Sequence, residues 1–216
     1  MPLHITTVEG SWIPDWPSSP RASEASANAD AKPELSISWD DQRGYSFCSA
    51  RAVLHNLAGL YYQQRDFRGA AATYGKSLEL NGNDYKVFGS RGQSLLYSGA
   101  PRAEAENSLR RAITLGEAQL QMHPDDAETV GLLAVYRALL GDKAAAQVRV
   151  NQAINQSGVT GRVAEYCAIA YELGGDRANA LRWAQKALDT GYAWKELEGD
   201  VEMDQLSRSS NLRHSP

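Results

Sequence analysis

The feature of this sequence that most constrains its fold is a ten-residue pattern that occurs twice. Residues 137–146 read RALLGDKAAA, and residues 171–180 read YELGGDRANA, so that Gly141 and Asp142 of the first stretch correspond to Gly175 and Asp176 of the second. A glycine followed by an aspartate is typical of a turn between two helices, because glycine adopts the left-handed conformation that ends one helix and the aspartate side chain accepts the free amides that begin the next. The recurrence therefore predicts an array of similar helical hairpins.

Helical periodicity continues from about residue 47 onward. Apolar residues recur at three- and four-residue steps, as at Leu54, Leu57 and Tyr61, and no strand-like alternation interrupts them. Asp125 and Glu128 have the spacing of a capping box at the start of a helix. The pattern predicts eight helices, roughly over 49–63, 67–80, 85–98, 102–122, 126–140, 143–156, 161–173 and 177–190.

Small and bulky residues keep their places from one hairpin to the next. The matching positions are Leu54, Ala58, Tyr61, Ala70 and Tyr74 in the first unit; Phe88, Gly92, Leu95, Ala105 and Leu109 in the second; Val130, Ala134, Arg137, Ala146 and Val150 in the third; and Ala164, Ala168, Tyr171, Ala180 and Ala184 in the fourth. This pattern resembles the tetratricopeptide repeat, a pair of antiparallel helices with a period of about 34 residues. The resemblance implies an all-α, right-handed solenoid of about four repeats, at about 51–84, 85–124, 127–160 and 161–192, followed by a capping tail at 193–216.

The end of the chain carries a second resemblance. The stretch ALDTGYAWKELEGDVEMDQL is similar to the closing segment of tetratricopeptide arrays in bacterial multidomain regulators, with Gly191, Leu197, Asp200 and Leu206 at the matching positions. In those regulators the array accompanies a serine/threonine kinase, an adenylate cyclase or a winged-helix domain. The chain departs from that pattern where SSNLRHSP replaces the usual apolar ending, so we expect the cap to fray there.

Residues 1–46 have a different composition from the rest of the chain. They are rich in Pro, Ser, Ala and Asp without a sustained apolar period, so we expect them to be mostly disordered. Trp12, Trp16 and Trp39 are unusual in such a segment. They leave two alternatives open: loose packing of the segment onto the repeats, or a docking motif or remnant of an upstream domain.

Charge and composition exclude several function classes. The whole net charge of −4 resides in residues 1–45, which hold seven acidic and three basic residues, so the repeats offer no basic surface for nucleic acid or an anionic membrane. No apolar run is long enough to cross a bilayer, and the N-terminus does not read as a secretory signal, so we expect a cytoplasmic protein. Cys48 and Cys167 are expected to be reduced thiols, with a single disulfide between them as the alternative.

The sequence offers little catalytic chemistry. Its four histidines lack zinc-ligand spacing, and it has no Gly-rich phosphate loop, HRD or DFG motif. Cys167 replaces an apolar helix position, which favours a buried thiol over a nucleophile. We therefore expect no enzyme activity, no metal and no cofactor.

The concave face of the array, formed by the first helix of each pair, is the predicted binding surface. A protein or peptide could lie along it, held by hydrogen bonds and aromatic contacts. The family's co-chaperones hold the C-terminal carboxylate of heat-shock chaperones with two Lys, two Asn and one Arg. This chain has His55, Gly59, Ser90, Glu128 and Leu132 at the matching positions, so we expect it not to bind that carboxylate. Two other functions are alternatives to a scaffold. The first is a regulatory fragment of a bacterial kinase or cyclase. The second is a secretion or assembly chaperone, which would need a strongly apolar groove and is therefore disfavoured by the polar residues predicted here. The predicted groove residues are His55, Gly59, Tyr62, Gln63, Lys86, Gln93, Tyr97, Glu128, Val135, Arg162, Glu165 and Glu172.

Overall fold

The structure is a computed structural model that describes residues 47–80, 82–156, 158–208 and 212. The N-terminal segment 1–46, with its three tryptophans, lies outside the described residues. All regular structure in the described part of the chain is helical. The helices are α1 (Phe47–Gln63), α2 (Phe67–Leu80), α3 (Tyr85–Ser98), α4 (Arg102–Met122), α5 (Ala127–Leu139), α6 (Lys143–Asn155), α7 (Gly161–Gly174), α8 (Arg177–Asp189), α9 (Trp194–Gly199), a 3-10 turn (Val201–Met203) and α10 (Asp204–Ser207).

The eight long helices begin and end within two residues of the predicted bounds. They pack in consecutive pairs, α1 on α2, α3 on α4, α5 on α6 and α7 on α8, and each pair contacts the next. This serial packing is compatible with a tetratricopeptide-like array. It also places α5 against α7, so that first helices of neighbouring pairs lie side by side.

The turns use the residues that the sequence pattern predicts. Gly141 and Gly175 adopt φ values of 82° and 87°, the left-handed conformation, and Asp142 and Asp176 each accept a hydrogen bond from the backbone amide three residues later. The turns inside the first two pairs also match each other. Arg65 of the first turn takes the left-handed conformation, with φ of 64°, as Gly99 does in the second.

One predicted cap is wrong. The N-cap residue of α5 is Asp126, not Asp125. The Asp126 carboxylate accepts hydrogen bonds from the backbone amide and the hydroxyl of Thr129 at 3.0 and 2.6 Å. The cap must directly precede the first helical residue, and α5 begins at Ala127. The prediction chose Asp125 only because it lies three residues before Glu128, and the adjacent aspartate is the actual cap.

Small residues occupy the places where paired helices cross. Ala70, Ala105 and Ala180 are fully buried, and Ala146 is 3% exposed. Between pairs, tyrosines pack on glycines: the Tyr136 ring lies directly over Gly89 of α3, and Tyr166 lies over Gly131 of α5. Because a glycine has no side chain, the aromatic ring can lie against the helix backbone, which fixes how successive pairs stack.

Cys167 is a free and buried thiol, so the alternative of a disulfide to Cys48 is not realised. Burial raises the pKa of Cys167 to about 12, which keeps the thiol protonated at neutral pH. This environment is that of a small core residue and is unlike that of a reactive cysteine.

Candidate binding surface on the inner face

Side chains of α1, α3, α5 and α7 form one surface, which we call the inner face and which corresponds to the predicted concave face. Residues 194–207, which we call the C-terminal segment, lie on this surface. Leu197, Met203 and Leu206 of the segment are fully buried in the same core cluster as Val135 and Leu139 of α5. The segment therefore covers the middle of the inner face with apolar contacts.

Helix α5 explains why a cover is needed there. Nine of its thirteen residues are buried, on all sides of the helix, and a helix that is apolar all round is stable only when it is enclosed. Val135, which the sequence placed in an open groove, is 3% exposed. The predicted open groove is thus not found at Val135, which belongs to the same core cluster as Leu197 and Met203 of the C-terminal segment.

Glu202 is the main polar contact of the C-terminal segment. Its Oε1 accepts hydrogen bonds from Gln93 Nε2 at 2.7 Å and Tyr97 OH at 2.6 Å, and its Oε2 accepts a longer one from Tyr62 OH at 3.5 Å. Glu202 is only 8% exposed. Burial and the nearby Glu202 carboxylate raise the pKa of both Tyr62 and Tyr97, so both phenols stay protonated and act as donors.

Arginines anchor the segment along its length. Arg65 pairs with Asp204 at 2.6 Å, and Arg177 donates to the Gln205 carbonyl at 2.7 Å. The backbone conformation of Arg65 is one that favours glycine and costs about 1–2 kcal/mol for other residues. A residue with a long cationic side chain at this strained turn provides the contact to Asp204, which glycine could not make.

A carboxyl pair lies where α7 meets the segment. Glu165, 2% exposed, accepts hydrogen bonds from Tyr192 OH and from Arg162 Nη1, the latter at 3.4 Å. Asp200 lines a cavity beside the same cluster, together with Arg162 and Tyr192, the two residues that bond Glu165. Burial, the contact with Glu165 and the charge of Glu202 raise the pKa of Asp200 well above its usual value.

Part of the inner face remains open between α1 and the C-terminal segment. A cavity of about 600 Å³, which we call the trough, lies there, within the size range of ligand sites. Leu60 on its rim is 55% exposed. The trough is lined by His55, Asn56, Gly59, Leu60, Tyr62, Gln63, Tyr74, Arg162, Tyr192, Glu196, Gly199 and Asp200.

The structure distributes the predicted groove residues over three environments. Tyr62, Gln93 and Tyr97 bind Glu202, and Arg162 and Glu165 lie at the carboxyl pair. His55, Gly59, Tyr62, Gln63 and Arg162 line the trough, and Lys86 lines an adjoining cavity of about 310 Å³. Glu128 is exposed, and Glu172 pairs with Arg177.

Sequence reasoning did not place Asp200, Glu202 or Tyr192 on this surface. Their contacts span long sequence separations, 140 residues in the case of Tyr62 and Glu202. The one local signal was the continuous apolar character of α5, which indicates a covered helix.

Neither family models nor curated proteins match this chain. Over the residues that the structure describes, the fold is all-helical and built from serial helical pairs, and the C-terminal segment closes part of the inner face. Within the described residues, no cluster of three or more histidine, cysteine, aspartate or glutamate side chains is placed to hold a metal ion. No helix in the described ranges has the length and apolar character needed to span a membrane.

Proposed function

We propose that the protein is a non-catalytic interaction module that binds a protein or peptide partner in the trough. The observation that carries this proposal is the open cavity of about 600 Å³ between α1 and the docked C-terminal segment. It combines aromatic and polar side chains, such as His55, Tyr62 and Gln63, with the exposed Leu60. Such a surface suits an extended peptide held by side-chain hydrogen bonds and apolar contact.

Gly59 supports a partner that approaches α1 closely. Glycine inside a helix costs about 0.5–1 kcal/mol relative to alanine, and usually a close neighbour explains it. At Gly59 no atom of the described residues lies within 4 Å of the position that a Cβ would take. The space beside the α1 backbone is thus available to a partner.

The rest of the inner face is a poor site for a partner. Displacing the C-terminal segment would expose Leu197, Met203 and Leu206, all fully buried. At about 1.5–3 kcal/mol for each side chain, this costs on the order of 5–9 kcal/mol before any polar contact is counted. Since a micromolar complex gains only about 8 kcal/mol, binding in the trough with the segment docked is favoured.

We further propose that the helical pairs are degenerate tetratricopeptide repeats, about four in number, in a right-handed solenoid, and that the protein acts in the cytoplasm. The buried alanines at the helix crossings and the left-handed turn residues that recur at the repeat spacing support this reading. A second candidate function is regulation of a bacterial kinase or cyclase. It is favoured by the burial of Leu197 and Leu206, two positions that resemble the closing segment of such regulators.

The binding proposal is tested by filling the trough. Gly59→Leu places a bulky side chain in the open space beside α1. Gly174→Leu makes the same change at another helical glycine, outside the trough, where no described atom lies within 4 Å of the added Cβ. A tagged full-length chain and both variants serve as baits, and circular dichroism checks their folding. We expect a partner that binds to the parent chain and to the Gly174→Leu variant but does not bind to the Gly59→Leu variant. A partner retained equally by all three would move binding away from the trough.

A further inference from the structure

One carboxyl group on the inner face differs from the others in its hydrogen bonding. Glu202 has donors at both oxygens, and Asp204 and Glu196 each pair with an arginine. Glu165 accepts from Tyr192 and Arg162. Asp200 differs from these carboxylates, because its Oδ2 is buried and receives no hydrogen bond within the described part of the chain.

The charges around Asp200 make its ionised form unfavourable. From α7 it faces the carboxylate of Glu165, and from its own segment it faces Glu202. The opposing cation is Arg162, which is already shared with Glu165 and Glu196. A second buried negative charge beside Glu165 would thus be left without its own counter-charge.

The remaining titratable groups around Asp200 do not supply that counter-charge. Tyr166 of α7 and Tyr192 keep raised pKa values, chiefly through burial, and stay neutral, as do Tyr62 of α1 and Tyr97 of α3. The cavities that Asp200 lines also contain Tyr74 of α2, His55 of α1 and Lys86 of α3, but neither His55 nor Lys86 forms an ion pair with it among the described residues. Lys86 is exposed and lies beside the Tyr85 ring.

We propose that a single proton held between Asp200 and Glu165 fastens the C-terminal segment to the inner face, so that docking of the segment is coupled to proton uptake. Asp200 donates this proton to Glu165, whose oxygens also accept hydrogen bonds from Arg162 and Tyr192. Release of the proton leaves two adjacent carboxylates, and their repulsion loosens the segment. The wall of the trough that Asp200, Glu196 and Tyr192 form then opens.

The direction of the pH dependence follows from the sign of the shift. In the undocked segment Asp200 titrates near its ordinary pKa of about 3.9, whereas in the docked segment its pKa is raised. The docked state therefore binds the extra proton, and its advantage is complete below the ordinary pKa. Docking weakens about tenfold for each pH unit above that value, until the raised pKa is passed.

Hydrogen–deuterium exchange of the full-length chain tests this proposal. Protection of amides 197–207, corrected for the intrinsic pH dependence of exchange, is measured from pH 5 to pH 8 against helix α6 as an internal reference. We expect protection of the segment to fall about tenfold per pH unit over part of this range while α6 stays constant. A flat profile in the parent chain would overturn the proposal.

Two variants separate the proton from the other contacts. Asp200→Asn is an uncharged mimic of the protonated acid, so it should keep the segment protected and abolish the pH dependence. Asp204→Asn removes the pair with Arg65 but leaves the carboxyl pair, so its pH profile should keep the parent slope. A parent-like slope in Asp200→Asn, or loss of protection at every pH in that variant, would contradict the proposal.

The inference that this proton controls the trough rests on the proposed binding function. The inference that it controls docking of the segment is independent of that function. Exchange is measured without any partner. A pH-dependent profile together with partner binding that Gly59→Leu leaves unchanged would therefore reject the trough and retain the proton-coupled docking.

Discussion

Gly89 and Gly59 make a matched pair for testing how the helical pairs interlock. Both lie inside helices whose side chains contribute to the inner face, so alanine at either position gains about 0.5–1 kcal/mol of helix propensity. At Gly59 no atom in the described part of the chain lies within 4 Å of the added Cβ. Gly59→Ala should therefore show the whole gain, as a rise in Tm of about 1–4 °C.

At Gly89 the same substitution meets a fixed obstacle. The added Cβ would lie 1.9 Å from Cζ and 2.0 Å from the hydroxyl oxygen of Tyr136. Tyr136 is only 2% exposed, so its ring has no open space to enter. Overpacking of this kind costs about 1–3 kcal/mol. With the separation this short we take the upper end, which leaves a net loss of about 2 kcal/mol after the helix gain and lowers Tm by about 4–8 °C.

Thermal denaturation followed by circular dichroism at 222 nm measures both variants. A third variant, Gly89→Ala with Tyr136→Leu, removes the atoms that collide and should recover part of the loss, which a double-mutant cycle quantifies. If Gly89→Ala raised Tm as Gly59→Ala does, the close contact between α3 and α5 would be refuted, and with it the stacking of the second pair on the third.

Three further predictions concern burial. Leu197→Ala should lower the free energy of unfolding in urea by about 2–5 kcal/mol, because this side chain is fully buried. The control Val148→Ala, at a 66% exposed position, should change it by less than about 0.5 kcal/mol. Equal effects would mean that the C-terminal segment is not part of the cooperative core. Ala146→Leu or Ala180→Leu should cost roughly 1–3 kcal/mol by overpacking at a helix crossing, and an unchanged Tm would place the crossings elsewhere. Cys167, with its pKa raised to about 12 by burial, should react with iodoacetamide only after unfolding, as mass spectrometry of the labelled peptide reports; rapid labelling of the native protein at pH 7.5 would contradict its buried position.

Local chemistry made the helices predictable. Each long helix has a three- to four-residue apolar period, and the turns repeat a glycine or a left-handed residue at the same place, as at Gly141 and Gly175. Arg65 shows the strength of the spacing argument. Its identity does not favour the left-handed conformation, yet Arg65 lies one repeat length before Gly99 in the sequence, and both residues adopt positive φ values of 64° and 76°.

The inner face was predictable only in part. Sequence periodicity selects which side chains of α1 and α3 point away from their paired helices, and so it found Tyr62, Gln93 and Tyr97. It carries no information on what meets them, because Glu202 is more than one hundred residues away in sequence from each of these three residues. The expectation of a polar groove placed Val135 of α5 on the open surface, whereas Val135 is 3% exposed.

The C-terminal segment links stability to the candidate binding site. Its Leu197, Met203 and Leu206 belong to the core cluster that also contains Val135 and Leu139 of α5, and through Glu196 and Asp200 the segment forms part of one wall of the trough. Substitutions that undock the segment should therefore weaken partner binding and lower Tm together. Substitutions on the opposite wall, at His55, Gly59 or Gln63, change binding without exposing α5. Binding variants should fall into these two groups, because only one of the two walls is also a cover for the core.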